Sequence, residues 1–257
     1  MRFLLGVFAT WVPALAMAGV TFTLEGQDKQ RMNVFIQGNK LRAEEGSPEP
    51  LRITLLDADT RKLTVIDPKR KTYSEIDEAQ IKAMGSKMNQ QLKDAMEKAS
   101  PEQRKQMEAV LAQRGIGSSK KVVIAYLPTG ERSTIAGYPC EGYRQLKDGK
   151  PESEGCFIPW TKLGIPKSEF DAYAKLSSFA GSLASGFQTA HEDPEDRARQ
   201  VLEKSPGFPA RQVHVLPTGQ KSGEQVLVSI RQGAITAEKF QTPADFTRTV
   251  KTETGGR

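Results

Sequence analysis

The sequence predicts an α+β protein built on a single, strongly curved antiparallel sheet, a half-barrel of about 10 to 11 strands with inserted helices over its concave face. Most of the chain consists of short apolar runs separated by turn residues, which is typical of strands in an antiparallel sheet. Helical periodicity interrupts these runs in two places, at about 77–114 and 168–204. Because so long a sheet must curl and its concave face needs a cover, we expect the two helical insertions to supply it.

The first 18 residues have the organisation of a secretory signal peptide that is removed after export. Met1-Arg2 provides the positive charge, 3–15 is an apolar run, and Ala16-Met17-Ala18 places small residues before the cleavage point. The apolar run is shorter than the roughly 20 residues that a bilayer core requires. We therefore expect one half-barrel domain over 19–257 that works outside the cytoplasm and does not span the membrane after cleavage.

Five strands are predicted before the first insertion. Gly38-Asn39 forms the turn between the second and third strands, and Asp57-Ala58-Asp59 separates the fourth from the fifth. The strand pattern ends at Tyr73-Ser74. The predicted strands are Val20–Leu24, Arg31–Ile36, Lys40–Glu44, Leu51–Leu56 and Leu63–Ile66.

The first insertion, at about 77–114, is predicted to be a helical hairpin. Apolar residues of its first helix recur at intervals of three and four, so they form one stripe. Ser100-Pro101-Glu102 begins a second helix with serine as the N-cap, and Gly115 ends it. The apolar residues are Ile81, Met84, Met88, Leu92, Met96 and Ala99 in the first helix and Met107, Val110 and Leu111 in the second.

Strands resume after the hairpin and are interrupted by the second insertion, at about 168–204. Ser168-Glu169-Phe170-Asp171 resembles a capping box that opens a third helix, and Glu195–Lys204 is a further short helical piece. The third helix has the apolar edge Phe170, Tyr173, Leu176, Phe179, Leu183 and Phe187. The predicted strands of this half are Lys121–Leu127, Arg132–Ile135, 140–146, 150–157, Ala210–Leu216, Gln225–Ile230 and Ile235–Phe240.

The two cysteines, Cys140 and Cys156, are expected to form a disulfide, since an even pair in an exported protein is usually bonded. Between them, 147–149 has the composition of a three-residue hairpin loop, and the register of such a loop places the two cysteines opposite each other. The same register places Arg144 opposite Glu152. A metal-binding or redox pair is the alternative, but the cysteines lack the close spacing that either site prefers.

The charges and histidines of the chain do not indicate nucleic-acid binding, catalysis or a metal site. The formal net charge is +6, but basic and acidic residues are interspersed, and the longest basic run is Lys69-Arg70-Lys71. His191 lies in a polar segment and His214 on a predicted strand, and neither has the spacing of a zinc hydrolase. We therefore expect no catalytic residue, no metal and no cofactor.

The apolar stripes of the insertions leave three interpretations open. Methionines are adaptable core fillers, they suit the lining of a cavity for apolar ligands, and their thioethers are soft ligands for copper(I). Copper is disfavoured because Ile81 and Leu92 share the stripe with the methionines. The candidate lining of an apolar ligand site is Ile81, Met84, Met88, Leu92, Met96, Phe170, Tyr173, Leu176, Phe179, Leu183 and Phe187.

Several short motifs occur in an order that resembles a known group of proteins. They are Gly38-Asn39-Lys40-Leu41-Arg42, Leu55-Leu56-Asp57, Thr64-Val65-Ile66-Asp67-Pro68 with Lys71-Thr72-Tyr73, Ile135-Ala136-Gly137-Tyr138-Pro139-Cys140 with Tyr143, Gly207-Phe208-Pro209, and Phe240-Gln241-Thr242-Pro243. Together they resemble a bacterial family of exported proteins that is labelled a domain of unknown function and is similar to periplasmic lipoprotein carriers of the Lol type. The resemblance covers nearly the whole chain after residue 18. It implies a half-barrel with helices in its concave face, a cavity of the kind that accepts acyl chains in those carriers, and a Gram-negative periplasm.

The sequence therefore favours a non-enzymatic periplasmic protein, a carrier or sensor that binds a lipid, an acyl chain or another apolar ligand between sheet and helices. The alternative is an envelope structural or protein-interaction domain whose helices fill the core without a ligand. An enzyme is a third and weaker hypothesis, because the sequence contains no evident cluster of titratable groups that a cleft would perturb.

Overall fold

The computed structural model describes residues 18–113, 123–175, 200–216 and 218–249. The predicted signal peptide lies outside these residues, except for Ala18, with which the first strand begins. The strands in this part of the chain are β1 (Ala18–Gly26), β2 (Arg31–Gln37), β3 (Lys40–Glu45), β4 (Arg52–Asp57), β5 (Lys62–Asp67), β6 (Thr72–Asp77), β7 (Ile124–Ile135), β8 (Tyr138–Lys147), β9 (Lys150–Pro159), β10 (Gly207–Val215), β11 (Lys221–Ala234) and β12 (Thr247–Arg248).

These twelve strands form one sheet in the order β12-β6-β5-β4-β3-β2-β1-β11-β10-β9-β8-β7, so the sheet is open, with β12 and β7 at its edges. Every neighbouring pair is antiparallel except β12 and β6, which are parallel. A large, mostly antiparallel sheet is therefore confirmed, with 12 strands in the described residues instead of the 10 to 11 expected.

The helices of the first insertion begin where the sequence predicts. They are α1 (Glu78–Lys98) and α2 (Pro101–Gln113). The Asp77 side chain accepts a hydrogen bond from the Gln80 backbone, and the Gln80 side chain accepts one from the Asp77 backbone, which makes a capping box. Ser100 and Gln103 exchange the same two bonds at the start of α2, so the predicted serine N-cap is confirmed.

The second insertion begins differently from the prediction. A short helix, α3 (Trp160–Leu163), ends at Gly164, whose φ of 72° is readily available to glycine. A 3-10 helix (Lys167–Phe170) follows Pro166, and 171–175 is helical. Ser168 is therefore inside a 3-10 turn and is not the N-cap that the predicted capping box assigns to it. The rest of the insertion contributes helical residues at 200–204, and 176–199 lies outside the described residues.

The main core lies on the face of the sheet that α3 and the 3-10 helix cover. Phe22 and Val20 of the interior strand β1 are at most 1% exposed. We call residues 160–175 the covering segment. Its side chains Leu163, Ile165 and Phe170 pack into the same cluster. The start of the second insertion thus does cover the sheet. Neither core cluster contains a residue of α1 or α2 among the side chains that the structure describes, so a covering role for that hairpin stays a prediction.

Two strands have too little pattern to be predicted from sequence. All residues of β6 are half-buried or exposed, and its last residue, Asp77, is also the N-cap of α1. The two exposed residues of β12 have no strand signal of their own. They are extended because they pair with Thr72 and Tyr73 of β6, which lie far away in sequence.

Strand β7 is continuous through 128–131, where the sequence predicts a break between the strands Lys121–Leu127 and Arg132–Ile135. An irregularity between Pro128 and Arg132 absorbs the intervening residues, and pairing with β8 continues on both sides of it. A proline inside a strand is tolerated here because β7 lies at the edge of the sheet. The prediction of two short strands is therefore wrong.

The hairpin of β8 and β9 has a different register from the predicted one. Lys147 pairs with Lys150, so the loop has two residues, Asp148 and Gly149. Their φ values of 52° and 77° are those of a type I′ turn. A bulge next to the loop takes Glu152 out of the ladder of strand pairs. The predicted three-residue loop is wrong, because the prediction included neither the two-residue turn nor the bulge.

The cysteines form the predicted disulfide in spite of this shift. Cys156 lies opposite Gly142, two positions from Cys140, yet the two cysteine Cα atoms are 5.4 Å apart and the bond is present. Arg144 pairs with Glu154 instead of Glu152, with 2.9 Å between Nε and Oε1. Hydrogen bonds from Lys221 and Arg144 lower the pKa of the Glu154 carboxyl. The disulfide prediction is confirmed, and the predicted opposition of residues is wrong.

Gly155 lies at a close backbone approach between β9 and β10, and we expect Gly155→Ala to lower the free energy of unfolding by about 1–3 kcal/mol through overpacking. A Cβ at this position would collide with the backbone oxygen of Arg211, which cannot move without breaking the ladder. Urea denaturation measures the change. Gly233→Ala is the matched control, because a Cβ at Gly233 on β11 meets no atom within 4 Å. Equal stability of the two variants would contradict the expectation.

Candidate binding site

Five aromatic rings form a cluster between β1, β10 and the covering segment. Phe22 contacts Phe208 and Tyr173 with centroid distances of 5.3 and 5.9 Å in edge-to-face geometry. Phe170 lies 5.1 Å from Phe208 and 5.5 Å from Trp160. Rings at these distances attract one another in addition to the effect of their burial. The cluster fixes the covering segment to the middle of the sheet.

Polar groups at the edge of the aromatic cluster also form hydrogen bonds. Trp160 Nε1 donates a hydrogen bond to the Ser205 backbone oxygen at 3.1 Å, and Lys167 Nζ donates one to the backbone oxygen of Glu203 at 3.0 Å. These bonds join the start of the second insertion to its end. Trp160 and Ile165 were not among the sequence-predicted site residues. The signal that could have found them is the apolar spacing Trp160, Leu163, Ile165 immediately after β9.

The two described candidates from the third predicted helix differ in exposure. Phe170 is 2% exposed and is enclosed by protein side chains. Tyr173 is 37% exposed, with one part of its ring against Phe22 and the rest at the rim of the cluster. The structure therefore places Phe170 in the core, whereas Tyr173 is partly exposed and burial of its hydroxyl raises the pKa of that group. The other four candidates of this helix, Leu176, Phe179, Leu183 and Phe187, lie outside the described residues.

The candidates of α1 lie on a helix that follows β6 directly. Ile81, Met84 and Met88 belong to the helical backbone, and their side chains are outside the described part of the structure. Leu92 and Met96 are half-buried and belong to neither core cluster. The described residues show no contact that brings them to Phe170 or Tyr173. The predicted convergence of the two apolar stripes on one cavity stays a prediction.

An open groove of about 650 Å³ lies between the end of α1 and the start of α2. Leu92, Ala95 and Met107 supply apolar surface, and Lys98, Gln103 and Gln106 supply polar groups; Ala99 completes the lining. The groove thus contains one predicted ligand-lining residue, Leu92.

A buried polar network lies between β7 and β10. Ser153 Oγ donates to Gln145 Oε1 at 3.1 Å and accepts from Gln212 Nε2 at 3.0 Å, and Gln145 Nε2 donates to Glu152 at 2.9 Å. Burial raises the pKa of the nearby Tyr126 hydroxyl to about 12, so this phenol stays protonated. The donors and acceptors satisfy one another, which is the pattern of a network that fixes strand register.

Side chains of the types that can ligate a metal do not cluster within residues 18–113, 123–175, 200–216 and 218–249. No group of three or more histidine, cysteine, aspartate or glutamate side chains in these ranges is arranged to hold a metal ion. His214 is exposed on β10, and His191 lies outside the described residues. None of the helices described is long and apolar enough to cross a membrane.

The chain matches no described protein family and no curated protein. Solved structures similar to it include an uncharacterized conserved protein from Thermus thermophilus, at 9% identity and a TM-score of 0.43, with 91% of each chain covered. They also include the MucA/MucB complex of Pseudomonas aeruginosa, at 10% identity and a TM-score of 0.40. A further structure is MucB in complex with MucA(peri), at 11% identity and a TM-score of 0.37. The chain spans only 58% and 56% of those two chains. Likenesses this distant assign neither a family nor a function, and the resemblance to Lol-type carriers stays a prediction.

Proposed function

We propose that the protein is an exported, non-enzymatic binding protein, a carrier or sensor that holds a lipid or acyl chain between its sheet and its helices. The supporting observation is the partial exposure of Leu92 and Met96, two members of the α1 stripe whose side chains are described and which belong to neither core cluster. An amphipathic helix of 21 residues normally buries such a stripe. A stripe that stays accessible is typical of a docking surface for an apolar partner.

The aromatic cluster provides the second apolar surface of the proposed site. Tyr173 keeps 37% of its surface exposed beside the buried rings of Phe22 and Phe170. An acyl chain that covers the Tyr173 ring and the α1 stripe removes apolar area from water, at about 25 cal/mol per Å². Methionine side chains on α1 can repack around chains of different length. The disulfide fits the oxidising compartment in which such a protein would work.

Trp160 allows a direct test, because it is the only tryptophan in 19–257 and contacts Phe170. A brominated fatty acid quenches tryptophan fluorescence at short range, and we expect saturable quenching of the purified protein. Tyr173→Asp and Leu92→Asp place a charge in the proposed site and are expected to weaken binding at least tenfold. Leu51→Asp is the matched control, since Leu51 is 53% exposed and lies outside both surfaces. Absence of saturable quenching, together with absence of lipid in native mass spectra, would contradict the proposal.

A protein-interaction domain with a filled core is the second candidate function. The observation that favours it is the enclosure of Phe170, which is 2% exposed and lies between rings at 5.1 and 5.5 Å. In that case the helices complete the core, and the α1 stripe binds an envelope protein instead of a lipid. Recovery of one stoichiometric protein partner, with no lipid bound, would favour this function over the first.

A further inference from the structure

The segment after β11 crosses the face of the sheet that is opposite the main core. We call residues 235–249 the C-terminal strap. It begins at β2, where Gln37 Nε2 donates a hydrogen bond to the Ile235 backbone oxygen at 3.1 Å. It ends at the far edge of the sheet as β12, beside β6. The strap therefore passes from β2 to β6 over a face for which the sequence predicts no function.

The first half of the strap is fixed by a buried ion-pair cluster. Arg42 Nε is 2.6 Å from Glu44 Oε1, and these two side chains are only 11% and 12% exposed. Lys239 of the strap bonds the same Glu44 oxygen at 3.2 Å, and its ammonium lies 4.6 Å from the Phe35 ring centroid. Arg42 Nη1 also donates to the Lys239 backbone oxygen at 3.0 Å. Release of this half would remove Lys239 from the largely buried Glu44 carboxylate and break the bond to its backbone oxygen, while the Arg42–Glu44 pair would remain.

The second half of the strap ends in an apolar contact and a short strand. Phe246 packs against a small core cluster on this face, formed by Ile53, Leu55 and Ile66 with Tyr73 beside it. The backbone N–H groups of the following strand residues bond to β6 and its turn. Thr247 N donates to the Lys71 oxygen at 2.9 Å, and Thr249 N donates to the Tyr73 oxygen at 2.7 Å.

Two ion pairs accompany this contact. The first is well exposed on both sides, and in the second the arginine is exposed while the Glu75 side chain is 20% exposed. Lys71 Nζ lies 2.8 Å from Asp245 Oδ2, with side chains 65% and 59% exposed. Arg248 Nη2 lies 3.2 Å from Glu75 Oε2, and the arginine side chain is 55% exposed. Exposed pairs of this kind contribute little to stability. The second half of the strap is therefore held mainly by Phe246 and a few edge hydrogen bonds, in contrast to the buried anchor of the first half.

We propose that the β6 edge and the Phe246 pocket form a docking groove for an extended peptide segment of a partner protein, and that the chain's own strap occupies this groove in the free state. The groove combines the features that strand addition uses: the backbone edge of β6, one apolar pocket, and the charged side chains of Lys71 and Glu75. The sequence of the C-terminal strap shows which residue types the groove accepts. A partner segment carries an acidic residue, an aromatic residue immediately after it, and a basic residue two positions further on, as in Asp245, Phe246 and Arg248.

Each element of that pattern has its counterpart in the groove. The aromatic ring enters the pocket of Ile53, Leu55 and Ile66. The basic residue meets Glu75, which also bonds Lys62 at 3.3 Å, and the acidic residue meets Lys71. The strap is attached to the sheet, so its local concentration is high and a free partner must compete with it. Weakening the strap is therefore expected to raise the affinity for the partner.

The test uses the full chain and a fluorescent peptide that copies residues 242–249, Thr-Pro-Ala-Asp-Phe-Thr-Arg-Thr. In fluorescence anisotropy we expect the peptide to bind the Phe246→Ala protein at least tenfold more tightly than the unmodified protein. A peptide with alanine in place of phenylalanine is expected not to bind. In the Phe246→Ala background, Glu75→Lys is expected to reverse the preference, so that a peptide with glutamate at the arginine position binds better than the original.

A measurement on the unmodified chain covers the case in which Phe246→Ala does not fold. Saturating peptide should displace the strap and accelerate tryptic cleavage after Arg248, whereas the alanine peptide should not. The proposal is overturned if neither the anisotropy nor the cleavage rate responds, or if both peptides act equally. Exchange of straps between two copies, detected as a dimer by sedimentation, would also overturn it in favour of a second copy as the occupant. Lipid binding is independent of all these readouts.

Discussion

Phe170→Ala is expected to lower the free energy of unfolding by about 3–5 kcal/mol, the range for removal of a fully buried phenylalanine. Phe170 is 2% exposed, joins the covering segment to the sheet through Phe22 and Phe208, and contacts Trp160 of the same segment. The rings around it, Phe22, Phe208 and Trp160, belong to β1, β10 and α3, and their positions on these elements limit how far they can move into the space. The variant therefore loses both the burial of the ring and the packing of its neighbours.

Urea denaturation, followed by the fluorescence of Trp160 and by circular dichroism, measures this change. Leu51→Ala is the control, since Leu51 is 53% exposed and its truncation is expected to change stability by less than about 0.5 kcal/mol. A small effect of Phe170→Ala on the ligand-free protein, with a large loss of lipid affinity, would contradict the assignment of Phe170 to the core. It would instead place Phe170 in the lining of the proposed ligand site.

Replacing Cys140 and Cys156 together by alanine is expected to lower the free energy of unfolding by about 3 kcal/mol, as the loop-closure estimate gives for a loop of this length. The two cysteines are separated by 16 residues and are 1% and 8% exposed. The bond restricts the unfolded chain, and both sulfur atoms also pack in the main core. Strand β9 contains Cys156 and also carries Phe157 and Ile158, and it pairs with β10. Loosening of β9 is therefore expected to disturb the aromatic cluster through β10.

Equilibrium unfolding of the double variant and of the unmodified protein, with and without a reductant, tests this expectation. The native protein is expected to resist reduction, because both sulfur atoms are buried, and to lose the bond only when it unfolds. Gly142→Ala does not serve as a control, since a Cβ there meets Thr129 and Glu131 side-chain atoms. Equal stability of the oxidised protein and the double variant would show that the bond contributes nothing to the fold.

Local signals account for what could be predicted. The capping pattern at Ser100 and the turn at Gly38-Asn39 depend on neighbouring residues only, and both lie where the sequence places them. The β2–β3 hairpin pairs Gln37 with Lys40 across that turn. The Cys140–Cys156 bond is also predictable, because it requires only that the two Cα atoms lie within about 7 Å of each other, and the hairpin brings them to 5.4 Å.

Register and covering contacts could not be predicted, because they depend on residues that are distant in sequence. The two-residue loop and the bulge at Glu152 together shift Cys156 to a position opposite Gly142, and no local pattern marks the bulge. Phe170 has the same apolar character as Tyr173 in the sequence, and only the fold buries one and leaves the other at the rim. The predicted ligand lining therefore mixes residues that the structure separates, at least among those it describes.

The sequence by itself determined a β-rich chain with a disulfide hairpin and a pair of helices inserted after β6, because each of these depends on periodicity or on the identity of a few adjacent residues. Only the tertiary structure decided that β1 lies inside the sheet, between β2 and β11, and that residues 235–249 cross its second face. The reason is physical: β12 has two exposed residues and no apolar pattern, and it is extended solely because β6 offers it an open edge. The groove that the strap occupies is for the same reason a property of the fold and not of any motif.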